Sequence, residues 1–157
     1  MKKIYKISSI LAIFVGVVMV IGGIWSFCFT YNNVAREKIV TPPDAIKSSI
    51  PVRGPLSLKT QADIIREHTL KTTGGKTYAE MPSKVNKLDQ EGNPVLNEKG
   101  ENVTVSNDAR NIWITATTLT TALNLGIITY LFSGLVFLFG LISVWNGIVF
   151  LMLIRNI

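Results

Sequence analysis

Two long apolar runs, one toward each end of the chain, enclose a mixed and mostly polar stretch. The first covers about Ile7 to Phe29, and no charge occurs between Lys6 and Arg36. At about 1.5 Å per residue, a helix over this run crosses the roughly 30 Å hydrocarbon core of a bilayer. Residues 7–29 are therefore predicted as a transmembrane helix. The run outlasts the apolar core of a signal peptide, and Trp25, Ser26 and Phe27 offer no small-x-small cleavage site, which favours an uncleaved signal anchor over a removed leader. Phe27 is too large for the position before a lipidated cysteine, so Cys28 reads as a buried thiol. The second run, Leu123 to Ile154, is also free of charge and would measure about 45–50 Å as a helix. Only lone glycines interrupt it, so one long helix over 115–154, containing the second span, is preferred to two short ones. Its first part, Thr115 to Asn124, is threonine-rich and suits the headgroup region or the space above it.

Between the runs the pattern shortens. Arg36 to Arg53 carries Pro42, Pro43 and Pro51, which predicts an extended, strand-like stretch without helix. Gly54-Pro55 predicts a turn. An amphipathic helix is expected over about 58–72: Ser57 can cap it, with Thr60 and Asp63 as an alternative one turn later, and Gly74-Gly75 stop it. Leu58, Ala62, Ile65 and Thr69 form its stripe. An internal repeat follows, Leu88 to Asn93 matching Leu96 to Glu101 eight residues on. In each copy an Asx residue opens a turn and a glycine three positions later can take a positive φ. With Leu88, Val95, Leu96, Val103 and Val105 as strand residues, a small hairpin or meander is expected over about 85–105. The resulting fold class is a mainly α membrane protein, a two-helix transmembrane hairpin with a small mixed α/β segment over residues 30–114.

Composition and charge sharpen the sidedness. Of 157 residues 48% are apolar and only 17% charged, and the mean hydropathy is +0.36, a balance uncommon in soluble domains of this size. The formal net charge of +6 is unevenly spread: Lys2, Lys3 and Lys6 precede the first run and Arg155 follows the second. The other twelve cations and all ten acids lie between Arg36 and Arg110, so this segment is only +2. The positive-inside rule then places residues 1–6 and 155–157 in the cytoplasm and residues 30–114 outside a cell (plasma) membrane, because a long translocated segment has little vote. The expected partner is the lipid bilayer, and no nucleic-acid partner is implied. Large apolar residues are sparse in the outer segment, so burial at ~25 cal/mol per Å² contends with the entropy of ordering it. It is expected to depend on the membrane helices, an oligomer or a partner.

Small residues recur every seven positions in both runs: Ser9, Gly16 and Gly23 in the first, and Gly126, Ser133, Gly140 and Gly147 in the second. A period of seven keeps each set on one stripe of a left-handed helix pair, and small side chains permit the close backbone approach that drives association in lipid. The two stripes are expected to face each other, with Phe132, Phe137, Phe139 and Phe150 turned mostly to lipid or a partner. Asn124 and Asn146 are polar but not titratable, so neither suggests a proton or ion path.

Candidate chemistry is thin. One cysteine allows no intrachain disulfide, and His68 alone is too few for the usual histidine-based metal sites. Asp89, Glu91, Glu98 and Glu101 lack the alternating spacing of an EF-hand loop and read as solvated turns. Gly74-Gly75-Lys76-Thr77 resembles the tail of a phosphate loop without its first glycine, and reads as a helix stop followed by a strand. No catalytic residue, cofactor or metal site is expected.

Gly54-Pro55-Leu56, Gln61-Ala62 with His68, Gly74-Gly75-Lys76-Thr77-Tyr78-Ala79-Glu80, and Thr115 to Leu119 at the head of the second run carry a resemblance. The pattern is similar to a family of small actinobacterial two-span membrane proteins, often labelled aromatic ring-opening dioxygenase. It covers about residues 35–80 and 108–155; the polar insert around 86–102 lies outside it. The label implies a non-haem iron site of two histidines and a carboxylate, which one histidine does not supply, so no enzyme is expected. The function expected is that of a non-catalytic accessory or scaffold subunit of a cell-envelope membrane complex, with a membrane-protein partner or a second copy of itself. Candidate contact residues are Arg66, His68, Lys76, Tyr78 and Glu80. The alternative is an extracytoplasmic sensor or ligand-binding module that takes an anionic envelope component through Lys71, Lys76, Lys84 and Lys87.

Overall fold

The computed structural model describes residues 2–155. It is mainly helical, with α1 (Lys2–Arg36), α2 (Pro55–Thr72) and α3 (Asp108–Arg155), and one antiparallel pair, β1 (Lys84–Asn86) and β2 (Thr104–Ser106). Both α1 and α3 are long and apolar enough to cross a membrane. The chain divides into two compact units, one comprising residues 1–60 and 124–157, the other residues 61–123.

In the first unit α1 and α3 run antiparallel along their small residues. A Cβ added to Gly16 would lie 2.7 Å from the Gly140 carbonyl oxygen, and one on Gly23 would lie 3.0 Å from that of Ser133. One on Gly147 would lie 2.8 Å from the Ser9 carbonyl oxygen. Ser9, Gly16, Gly23 and Thr30 are the buried residues of α1, so the stripe runs one heptad further than the sequence pattern indicated. Two polar contacts fasten the seam: Ser26 and Ser133 hydroxyls meet at 2.7 Å, and the Ser143 hydroxyl donates to the Ala12 carbonyl at 2.8 Å. Gly126 departs from the expectation that it faces α1. Leu58, buried at the start of α2, fills the space above it, its Cδ1 3.2 Å from where a Cβ would stand. Phe137 also departs, since it packs on Gly23, whereas Phe132, Phe139 and Phe150 are exposed. Cys28, read as buried, is exposed on the helix surface.

Residues 37–53 are not extended. Lys38, with φ at 51°, ends α1 by entering the left-handed region, and the chain closes into a compact loop over a Val40–Pro51 bridge. Thr41 is its hub. Its amide donates to the Ile50 carbonyl at 3.0 Å, its hydroxyl accepts from the Ile50 amide at 3.0 Å, and its carbonyl accepts from the Ser49 amide at 3.0 Å. The prolines do exclude helix here, but a buried threonine hydroxyl supplies the curvature. The sequence reading also misplaced the start of α2. Pro55 is its first residue, where the missing N–H costs nothing, and Ser57 sits one turn inside, its hydroxyl accepting from the Arg53 and Gly54 amides at 3.0 and 3.1 Å. The Arg53 carbonyl accepts from the buried Tyr130 hydroxyl at 2.5 Å, and Tyr130 meets Phe27 edge-on at 4.9 Å.

In the second unit α2 ends as its glycines dictate. Gly74 and Gly75 take φ of 64° and 78°, and their amides return to the Lys71 and Leu70 carbonyls at 3.3 and 2.7 Å, the paired bonds of a Schellman stop. The eight-residue repeat folds twice into the same turn. Asp89 Oδ1 accepts from the Glu91 and Asn93 amides at 2.9 and 2.8 Å, and Asn97 Oδ1 accepts from those of Lys99 and Glu101, each at 2.9 Å. Three residues at the same spacing then close a ring of backbone bonds: Lys87 donates to Val103 at 2.7 Å, Val103 to Val95 and Val95 to Lys87, both at 2.8 Å. The antiparallel arrangement expected over about 85–105 is present, with regular ladder in three pairs centred on Val85 and Val105 and single bridges at Leu88–Pro94 and Leu96–Asn102, and Val85, Leu88, Leu96 and Val105 are exposed. The helix expected from Thr115 starts seven residues earlier, at Asp108. Asn107 holds its start: Oδ1 accepts from the Ala109 amide at 3.1 Å while Nδ2 donates to the Pro82 carbonyl at 2.9 Å.

Candidate functional site

A concavity lies in the second unit, between the last turns of α2 and the first turns of α3. It is an open groove of about 610 Å³ whose walls include Ile65, His68 and Thr72 on one side and Asp108, Ile112 and Leu119 on the other. The positions repeat as helix faces do. Residues 65, 68, 69 and 72 of α2, and 108, 111, 112, 115, 116 and 119 of α3, follow the three-and-four spacing of a single stripe. Thr69 and Ala116 are buried where the helices meet, whereas Ile112 and Leu119 remain exposed. The groove thus has an apolar floor and a rim of hydroxyl, amide, imidazole and carboxylate groups.

Of the five proposed contact residues, all exposed, Arg66 and His68 lie on α2 and Lys76, Tyr78 and Glu80 follow it. Arg66, on α2, sets its guanidinium 5.7 Å from the Trp113 ring centroid. His68, exposed on the same helix, lines the groove. Lys76, Tyr78 and Glu80 belong to the turn that follows α2. The Arg110 guanidinium lies 3.9 Å over the Tyr78 ring, close enough for a cation–π contact. Arg110 Nε, buried against it, has no hydrogen-bond partner among the described residues. Glu80 Oε2 accepts from both the amide and the hydroxyl of Thr77, each at 2.7 Å. These donors, the backbone amide first, hold the Glu80 carboxyl below its ordinary value of 4.5. Arg66, Tyr78 and Glu80 thus each make a contact within the unit while remaining exposed. Among the lysines considered for an anion, Lys71 is paired with Glu67 at 2.7 Å.

The residues of the α3 wall, Asp108, Asn111, Ile112 and Leu119, did not emerge from the sequence reading. Their signal was present as an apolar residue every three or four positions after Asp108, but threonines between them made the stretch look like headgroup-region filler. Among the described residues, no three His, Cys, Asp or Glu side chains come together as a metal ligand set. The groove combines exposed apolar area with directional polar groups along two helices. Comparison with family models, with curated proteins and with solved structures gives no significant match for this chain.

Proposed function

We propose that the chain is an integral membrane protein that acts, without catalysis, as an accessory or scaffold subunit of a cell-envelope membrane complex. On this reading α1 and α3 are inserted, the ends bearing Lys2, Lys3, Lys6 and Arg155 are cytoplasmic, and residues 30–114 lie outside. The observation that carries it is the open groove on the segment joining two span-length helices, a surface suited to receiving another chain. Insertion draws support from the outward faces of those helices, where Phe14, Trp25 and Phe132 are 66%, 66% and 64% exposed. Apolar area of that extent is costly in water and at home in lipid. The ring-opening label borne by the family this chain resembles describes, on this reading, no activity of the chain itself.

Purification in a native detergent followed by mass spectrometry tests the role. A stoichiometric membrane-protein partner is expected; a lone monomer retaining a small anionic ligand would overturn the reading in favour of a ligand-binding module. Sidedness is tested with Ser48→Cys in a Cys28→Ser background, using a membrane-impermeant maleimide on intact cells. Labelling is expected, and its absence refutes the orientation.

A further inference from the structure

We infer that the groove between α2 and α3 seats about three turns of an amphipathic helix from a partner protein, with a Lys or Arg of that helix set against Asp108. This rests on the accessory reading above and specifies what the partner presents. Length argues first: Asp108 and Leu119 line the same groove eleven residues apart on one helix, which is about 16 Å, or three helical turns. The lining argues next. Ile65, Ile112 and Leu119 offer an apolar strip, and Thr72, Asn111 and Thr115 border it with polar groups, the pairing that an amphipathic helix matches with its own apolar stripe and polar flanks. A site for a small molecule encloses most of its ligand, whereas this one lies open along its length.

Charge selects the sign of the partner. Among the described residues that line the groove, Asp108 is the carboxylate and His68, on the α2 wall, the imidazole, and none is a Lys or Arg. Asp108 stands in the first turn of α3. A basic side chain at the matching end of the incoming helix is complementary; an acidic one is repelled. A second copy is a poorer occupant. A two-fold contact would bring the groove against itself, and a groove does not fill a groove.

The test uses the full-length protein in its own membrane, with the photo-crosslinking residue p-benzoylphenylalanine placed at Ile112 and, as a control outside the groove, at Glu98. The expected result is an adduct from Ile112 and none from Glu98. The linked peptide belongs to a different protein, carries apolar residues at three-and-four spacing, and has a Lys or Arg on the same segment. Asp108→Lys should lower the adduct yield by about tenfold or more and Asp108→Asn by less, as expected for a charge facing its complement. Thr115→Trp, which fills the groove from its exposed rim and leaves Asp108 intact, should abolish the adduct. An adduct with a second copy, with lipid alone, or one unchanged by Asp108→Lys and Thr115→Trp overturns the inference. A stoichiometric partner that co-purifies without any adduct at Ile112 sinks the groove assignment and leaves the accessory reading standing; the absence of any co-purifying partner sinks both.

Discussion

At the residue scale the glycines of the long helices sort themselves by what stands in front of them. Gly16 faces the Gly140 carbonyl and the Val144 side chain, each 2.7 Å from where its Cβ would be, while Gly22 and Gly134 face nothing within 4 Å. Helix pairs in lipid are held by close packing, so Gly16→Val should force α1 and α3 apart at a cost of about 1–3 kcal/mol. Gly22→Ala and Gly134→Ala should be neutral or stabilising by up to about 1 kcal/mol, through helix propensity alone. Thermal unfolding in detergent followed by helicity would show the contrast; equal effects at the crowded and open positions would refute this account of the seam. Glu80 gives a second residue-scale prediction. Its carboxyl is held below 4.5 by the Thr77 amide and hydroxyl, so its contribution is complete above pH 4.5 and is lost as pH falls through the lower folded value. Hydrogen exchange at the Thr77 amide should therefore accelerate on acidification below pH 4.5 in the wild type. In Glu80→Gln it should be independent of pH beyond the intrinsic exchange rate. Small residues at a fixed period are legible in sequence because they report on distance directly. Gly126 misled because its neighbour, Leu58, comes from a different part of the chain.

At the element scale, what the sequence left unread was mostly capping. Asn107 both starts α3 and ties the Pro82 carbonyl, so one side chain joins the helix to the residues leading into β1. Asn107→Ala should cost about 1–2 kcal/mol, the usual loss of an N-cap plus one further hydrogen bond. The loss should appear as faster exchange of the amides of Ala109 and of the short β1–β2 ladder, with α1 unaffected. The stop of α2 was legible because Gly74-Gly75 leaves few alternatives: both take positive φ, and Gly75→Ala should cost about 1–2 kcal/mol from the left-handed strain alone. The loop over residues 37–53 was not legible. Its curvature depends on a single hydroxyl at Thr41 bonding to groups as far as nine residues away, and proline spacing carries no trace of that. The repeat over Asp89 to Glu101 shows the opposite case. Asx-turn chemistry is local, so both turns could be read from their Asx and Gly residues, while the ring of bonds through Lys87, Val95 and Val103 needed the three-dimensional arrangement.

At the scale of the whole molecule, each unit draws on segments distant in sequence, and this limits what can be cut from it. In the second unit the buried residues Ala62, Ile64 and Thr69 come from α2, Met81 from the turn beyond it, and Ala116 and Leu123 from α3. The polar-looking head of α3 is therefore half of a core, which is why hydropathy alone assigned it to the headgroup region and overlooked the groove it builds. A fragment of residues 34–110 keeps α2 and the β pair but loses Ala116 and Leu123, and with them the surface on which α2 buries its apolar stripe. Apolar burial at ~25 cal/mol per Å² is then too small to offset about 1–2 kcal/mol of backbone entropy per ordered residue. That fragment should show no cooperative transition by calorimetry and only partial helicity, whereas the whole chain in detergent should unfold cooperatively. Extending the fragment to residue 123 restores the missing face and should raise its helicity well beyond what the added residues contribute alone. A cooperative transition in the 34–110 fragment would place the core within that segment and contradict the dependence on α3.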